Sequence, residues 1–212
     1  MPMGDDMLTQ LDALSIVEFH DENLSRTDWL GGPGQSLHGV WRWIDANHRF
    51  NSLLWDEEDR ARRLDVAPGD IAASKRLIDR HNQLRNDAVE SIDEAILSQL
   101  ASVQHDDNAR LSSETAGAMI DRLSILALKI FHMRKQTRRP DASTAHIDTC
   151  RAKLQRLIAQ RNDLACCLDQ LLNEALTGQA YFKVYRQFKM YNDPTLNPYL
   201  YARSAAHSGS AR

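Results

Sequence analysis

Two stretches of this chain, residues 70–103 and 141–177, each run for more than thirty residues without a glycine or a proline. Within both stretches apolar residues recur with the period of an α-helix, so each predicts one long amphipathic helix. The whole chain has only 9 Gly and 6 Pro, which argues against a turn-rich all-β protein. The sequence therefore predicts an all-α fold.

The breakers and capping residues of the sequence divide the rest of the chain into further helices. The predicted helices are Met7–Glu22, Leu37–Asp65 after a Ser36 cap, a third from the Asp70 cap to Val103, a fourth from Ser112-Ser113-Glu114 to about Lys135, a fifth from a Ser143 or Thr144 cap to Gly178, and a short one over Ala180–Tyr191. Four long helices with short connections predict an antiparallel bundle with an extra N-terminal helix and a short C-terminal capping helix. We expect a single helical domain over residues 1–201 and a disordered tail over residues 202–212.

The composition indicates a soluble cytoplasmic protein. Hydrophobic residues make up 42% and charged residues 26% of the chain, as in ordinary folded domains. No apolar run approaches the roughly 18 residues of a membrane span, and the N-terminal residues lack the pattern of a secretory signal. Three cysteines, of which Cys166 and Cys167 are adjacent, suit a reducing compartment better than a disulfide framework. The sequence gives no oligomeric state.

The charge is unevenly distributed along the chain. Residues 1–106 carry 10 Lys and Arg against 20 Asp and Glu, whereas residues 107–212 carry 16 against 9. The basic residues are dispersed, so attraction between the two halves explains the asymmetry better than a nucleic-acid surface does. The aromatic residues of the C-terminal segment, interleaved with cations, are expected to pack on the end of the bundle. We therefore predict no nucleic-acid partner.

Several polar side chains fall inside the apolar arcs of the predicted helices. Arg161 lies at the centre of the fifth helix's arc, and Arg85 lies near the middle of the third helix's arc. An unpaired buried guanidinium is very unfavourable, so both should contact carboxylates or a bound anion. Glu58 is the expected partner of Arg161, with Asp121 as the next candidate. The complete set predicted to bind a ligand is Arg85, Arg161, Glu58, Asn51, Arg62 and Asp121.

These inward charges support two interpretations. In the first, Arg85 and Arg161 clamp an anionic small molecule such as a phosphorylated or nucleotide-linked sugar. In the second, they form a structural ion-pair network in a non-enzymatic scaffold or interaction protein. An open cavity between the second, third and fifth helices would favour the ligand, and a closed, fully paired network would favour the scaffold.

A row of acidic residues on the third helix suggests a cation site. Asp79, Glu90 and Asp93 share an arc of about 80° with two asparagines, and carboxylate and amide oxygens are suitable ligands for magnesium. The alternative is a solvated stripe at the edge of the apolar face.

Several motifs together resemble an uncharacterised bacterial family, domain of unknown function 4254, over about residues 40–201. The motifs are Asn51-Ser52-Leu53-Leu54-Trp55-Asp56-Glu57-Glu58-Asp59-Arg60-Ala61-Arg62, Lys75-Arg76-Leu77-Ile78-Asp79, Asn82, Arg85-Asn86-Asp87, Ile120-Asp121-Arg122-Leu123-Ser124-Ile125-Leu126, Phe188-Lys189-Met190-Tyr191-Asn192-Asp193-Pro194 and Asn197-Pro198. The resemblance implies no catalytic residues, because none is assigned in the family. Some of its members are encoded near cell-envelope glycosyltransferases.

A second resemblance keeps a metal enzyme among the alternatives. Glu57-Glu58 followed by Glu90-x-x-Asp93 is similar to the paired acidic helices of all-α nucleotide pyrophosphohydrolases, which bind magnesium between helices. The sequence lacks the further glutamate that would complete the first acidic motif. Whether the protein is an enzyme stays open at this point.

Overall fold

A computed structural model describes residues 11–31, 37–186 and 195–198 of the chain. Within these ranges the chain forms five helices and one pair of two-residue strands. They are α1 Ala13–Ser25, α2 Trp41–Arg60, α3 Pro68–Gln99, β1 Arg110–Leu111, α4 Ala116–Gln136, α5 Thr144–Leu176 and β2 Ala180–Tyr181. The predicted all-α class is confirmed.

The first two helices begin later than predicted. Asp12 caps α1 by accepting a hydrogen bond from the Ser15 backbone N–H at 2.8 Å, so the helix begins at Ala13. Residues 7–10 of the predicted start lie outside the described residues. Helix α2 begins after Val40, and the predicted Ser36 cap also lies outside the described residues.

Helix α3 begins at Pro68, so the predicted Asp70 cap is wrong. Proline fits the first helical position because its missing N–H has no partner there and its φ is already helical. Asp70 lies in the first turn instead, where its negative charge complements the helix dipole. The helix ends at Gln99, four residues before the predicted end.

The caps of α4 and α5 follow from their flanking residues. Thr115 caps α4, one residue after the predicted Ser112-Ser113-Glu114 start, and Ser143, one of the two predicted candidates, caps α5. After α5, Gly178 adopts a φ of +77°, and the Gly178 and Gln179 N–H groups donate to the carbonyls of Ala175 and Glu174. This pair of hydrogen bonds ends the helix in a left-handed turn that favours glycine.

The predicted C-terminal helix over Ala180–Tyr191 is wrong for its first part. Ala180 and Tyr181 instead pair in parallel with Arg110 and Leu111, and residues 182–186 are not helical. The backbone N–H groups of Arg110 and Ser112 donate to the carbonyls of Gln179 and Tyr181, each at 2.8 Å. Residues 187–191 lie outside the described residues.

Helix α4 is the centre of the packing, because α1, α2, α3 and α5 all contact it. Its neighbours also pack in pairs, α2 on α3 and α1 on α5. Fully buried aliphatic side chains fill the core, and each contributes about 1.5–3 kcal/mol by leaving water; among them are Ile16, Ile44, Ile92, Ile120, Leu123 and Leu168. The described helices include none with the length and apolarity that crossing a membrane requires.

Candidate functional site

A layer of polar side chains crosses the interior where α2, α3 and α4 meet. The Oδ1 atom of Asp121 accepts hydrogen bonds from the side-chain amides of Asn47 at 2.8 Å and Asn51 at 2.9 Å. Its Oδ2 atom lies 3.6 Å from Nη1 of Arg85. Asp121 therefore connects two asparagines on α2 to an arginine on α3.

The layer continues from Asn51 towards α1 through a buried histidine. Ser124 Oγ lies 3.0 Å from the Asn51 amide and 2.7 Å from Nδ1 of His48, while Nε2 of His48 lies 3.2 Å from the His20 carbonyl oxygen. Because a carbonyl only accepts, Nε2 carries the proton and Nδ1 accepts from the serine hydroxyl. Burial lowers the pKa of His48 to about 3, so the ring is neutral at pH 7.

A cleft with a volume of about 380 Å³ opens on the outer side of this layer, between α2, α3 and α4. Arg85 lies at its floor, and its side chain is only 23% exposed. Nη2 of Arg85 donates to Asn86 Oδ1 at 2.9 Å, whereas Nε is buried and has no hydrogen-bond partner among the described residues. The lining residues are Asn51, Leu54, Trp55, Glu58, Asp59, Arg62, Asn82, Arg85, Ile125 and Leu128.

A second ion pair lies at the rim of the cleft. Glu58 and Arg62, one helical turn apart on α2, form a contact of 2.8 Å between Oε2 and Nη1. Both side chains are open to solvent, since Glu58 is 38% and Arg62 is 68% exposed. Five of the six predicted ligand residues therefore meet here: four line the cleft and Asp121 lies directly behind its floor.

Arg161 is the predicted ligand residue that lies elsewhere. It is buried as predicted, at 7% exposure, but its Nη1 donates to Asp21 Oδ1 at 2.8 Å. The prediction that Glu58 pairs with Arg161 is wrong, and so is the second candidate, Asp121. The reason is that α5 presents Arg161 to α1, while Glu58 lies in the cleft bounded by α2, α3 and α4.

The three carboxylates predicted to bind magnesium do not form one site. Asp79 is exposed and lies about 16 Å along α3 from Glu90, given a rise of about 1.5 Å per residue. Glu90 lies 3.8 Å from Nε of Arg186, and Asp93 accepts a hydrogen bond from the Gly117 N–H at 2.6 Å. Asp93 thus holds the N-terminus of α4, where a carboxylate is favourable.

The pyrophosphohydrolase interpretation also lacks its metal ligands. Glu57 is buried and its Oε1 contacts Nη1 of Arg60 at 2.5 Å, while Glu58 contacts Arg62. Within residues 11–31, 37–186 and 195–198, no three His, Cys, Asp or Glu side chains are placed to hold a metal ion together. The similarity in sequence is therefore not matched by a shared acidic site.

Two buried histidines, His20 and His48, are not among the predicted site residues. His20 and His48 are fully buried with ring centroids 4.3 Å apart, and Trp29 lies 4.7 Å from the His48 ring. Burial, followed by His48 and Arg161, keeps the pKa of His20 well below its ordinary value. A signal for His48 was present, because it lies four residues after Ile44 and three before Asn51, on the same face of α2.

Comparisons with known proteins give one match. Residues 41–184 match the sequence model of a family described as "Protein of unknown function (DUF4254)". No curated protein and no solved structure matches the chain. Every residue that lines the cleft falls within the matched range, whereas Asp21, the partner of Arg161, precedes it.

Proposed function

Because the chain belongs to the DUF4254 family, which has no described function, we propose a function from its own residues: it binds an anionic small molecule in the α2–α3–α4 cleft. The proposed ligand class is a phosphorylated or nucleotide-linked sugar. The observation that carries the proposal is the incompletely paired guanidinium of Arg85 at the floor of an open cleft.

The pairing of Arg85 supports an anionic ligand. A guanidinium has five N–H donors, and Arg85 uses one of them in a hydrogen bond of 2.9 Å, while its contact with Asp121 is long at 3.6 Å. Asp121 already accepts hydrogen bonds from two asparagine amides. Its interaction with Arg85 is therefore weaker than that of a carboxylate with no other hydrogen bonds. A phosphate entering the cleft would accept hydrogen bonds from the Nη N–H groups that remain unpaired, in the planar geometry that arginine favours.

The other lining residues suit a sugar attached to the phosphate. The Glu58 and Asp59 carboxylates at the rim accept hydrogen bonds from hydroxyl groups, and the Asn82 amide both donates and accepts. The Trp55 ring offers an apolar surface to the face of a sugar ring. The cleft volume of about 380 Å³ lies within the range of small-molecule sites.

Isothermal titration calorimetry with glucose 1-phosphate, a nucleotide-linked glucose and free glucose tests this proposal. We expect the two phosphorylated compounds to bind and the neutral sugar not to bind. Arg85→Gln should weaken binding by about tenfold or more, because a hydrogen bond to a charged group is worth about 1.5–3 kcal/mol. Arg85→Lys should restore little, because a point charge does not reproduce the planar fork.

The matched control is Arg80→Gln, which removes an exposed arginine of the same helix that does not line the cleft. Its affinity should equal that of the wild type, and circular dichroism should show that both variants are folded. The proposal fails if neither phosphorylated compound binds at millimolar concentration. It also fails if Arg85→Gln binds as tightly as the wild type.

The scaffold alternative is supported at one position. Arg161 pairs with Asp21 and does not line the cleft, and its buried Nε has no hydrogen-bond partner among the described residues. That pair explains Arg161 as a structural residue without assigning any role to Arg85.

A further inference from the structure

A second cavity lies beside the cleft, between α2, α4 and α5. Its volume is about 520 Å³, larger than that of the cleft, and lies within the range of small-molecule sites. Trp55 and Asp59 line both cavities and form the wall between them. The lining residues are Trp55, Asp59, Lys129, His132, Met133, Gln136, Lys153, Arg156, Leu157 and Gln160.

Three of the lining residues are cations without a counterion. The side chains of Lys129 from α4 and of Lys153 and Arg156 from α5 form no hydrogen bond or ion pair with any other residue in the described part of the chain. By contrast, the exposed arginines Arg139 and Arg151 each pair with an aspartate. Asp59 supplies the single acidic group of the lining, so the cavity carries an excess of two positive charges.

One wall of the cavity is aromatic. The rings of Trp55 and His132 are stacked, with centroids 4.4 Å apart and an angle of 11° between their planes. Burial, followed by the charge of Lys135, lowers the pKa of His132, while Asp59 and Asp56 oppose this shift. The imidazole is therefore a neutral ring at pH 7, and the positive charge of the cavity comes from its lysines and arginine. Met133 and Leu157 extend the apolar surface.

We propose that this cavity binds a nucleoside diphosphate, with its phosphates on Lys129, Lys153 and Arg156 and its base against the Trp55–His132 wall. Aromatic side chains match a base, because bases stack on aromatic rings regardless of which base is present. The charge matches a diphosphate better than a fatty acid, because a single carboxylate would leave cations unpaired. The cations of this proposal differ from those of the cleft, although Trp55 and Asp59 line both sites.

Calorimetry with three probes in metal-free buffer separates the parts of the proposed ligand. The probes are ADP, inorganic pyrophosphate, which lacks the base, and adenosine, which lacks the phosphates. We expect ADP to bind most tightly, pyrophosphate to bind more weakly and adenosine to bind weakest. The affinity for ADP should fall when salt rises from about 0.1 M to about 1 M, because the Debye length shrinks from about 10 Å to about 3 Å.

The variant that tests the cation cluster is Lys153→Gln combined with Arg156→Gln. Both side chains are exposed, so the double variant should fold, and it should bind ADP about tenfold more weakly or worse, equivalent to about 1.4 kcal/mol. The matched control is Arg151→Gln, an exposed cation of the same helix that does not line the cavity. Its affinity for ADP should stay within about twofold of the wild type.

The aromatic wall is tested by Trp55→Leu, which should weaken ADP binding and leave pyrophosphate binding unchanged. Three outcomes would overturn the proposal: ADP binds no tighter than pyrophosphate, the double variant binds ADP like the wild type, or oleate binds while ADP does not. The two sites are told apart by crossing the variants. Arg85→Gln should weaken the binding of glucose 1-phosphate more than that of ADP, and the Lys153→Gln, Arg156→Gln double variant should do the reverse.

Discussion

Protonation of the buried His48 should destabilise the protein as the pH falls, and the structure gives the size of the effect. The ring is enclosed between α1, α2 and α4, where burial lowers its pKa from 6.5 to about 3. Below about pH 6.5 the unfolded chain therefore binds a proton at His48 that the folded chain does not bind. This contribution to stability is complete above pH 6.5 and is lost as the pH falls.

The magnitude follows from the two pKa values. Between about pH 6.5 and pH 3 the free energy of unfolding falls by about 1.4 kcal/mol for each pH unit, so His48 alone removes about 2 kcal/mol by pH 5. His20 acts in the same direction, because its pKa is also lowered. Asp93 opposes them, since burial raises its pKa to about 6 and the folded chain then binds that proton more readily.

A variant that removes only the His48 titration isolates its contribution from the others. Glutamine can donate to the His20 carbonyl and accept from Ser124, but it does not titrate in this range. Urea unfolding at about pH 7.5 and about pH 5 should show that the wild type loses about 2 kcal/mol more than His48→Gln. Equal losses in both proteins would refute the reasoning.

If His48→Gln does not fold, nitrogen NMR of the wild-type histidines gives an independent answer. The His48 ring should remain in the neutral tautomer with the proton on Nε2 at pH 5. A His48 ring that titrates near 6.5 in the folded protein would contradict the assignment.

Three further predictions concern packing. Arg161→Met should cost about 3 kcal/mol because it strands Asp21, and adding Asp21→Asn should restore part of this loss in thermal unfolding, whereas adding Glu58→Gln should not. Gly117→Ala should cost about 1–3 kcal/mol in urea unfolding, because the added Cβ would lie 2.6 Å from a carbonyl oxygen of α3; unchanged stability would mean that α3 and α4 separate freely. Truncation after Gly178 should lower the melting temperature, because it removes β2, its hydrogen bonds to residues 110–112 and the buried ring of Phe182. A melting curve like that of the full chain would show that the strand pair does not stabilise the protein.

The long helices could be predicted because their signal is local. A period of 3.6 residues over more than thirty positions specifies α3 and α5 without knowledge of any neighbour, and Ser143 and Gly178 mark ends by their own backbone preferences. The β2 strand could not be predicted in this way. Its partner lies seventy residues earlier in the chain, and two residues are too few to show a strand period.

The sequence predicted which side chains face the interior better than it predicted which of them contact each other. Each of Arg85, Asp121 and Asn51 lies on an inward face of its own helix, and the three side chains do meet. The partner of Arg161 depended on how α1 packs against α5, which no single helix encodes. Consecutive side chains on a helix point in directions about 100° apart. On α2, Glu57 is therefore buried, whereas the next residue, Glu58, lines the cleft.

The parallel pairing of β1 with β2 has a consequence for the order of events during translation. Ribosomes release the chain from its N-terminus, so residues 110–111 emerge seventy residues before residues 180–181, with which they pair. At about 5–20 residues per second, this interval lasts several seconds. During that time α1–α4 are complete, but the connection between α3 and α4 has no strand partner. A nascent chain stalled within α5 would thus expose this connection to proteases, and finishing the last short strand would close it.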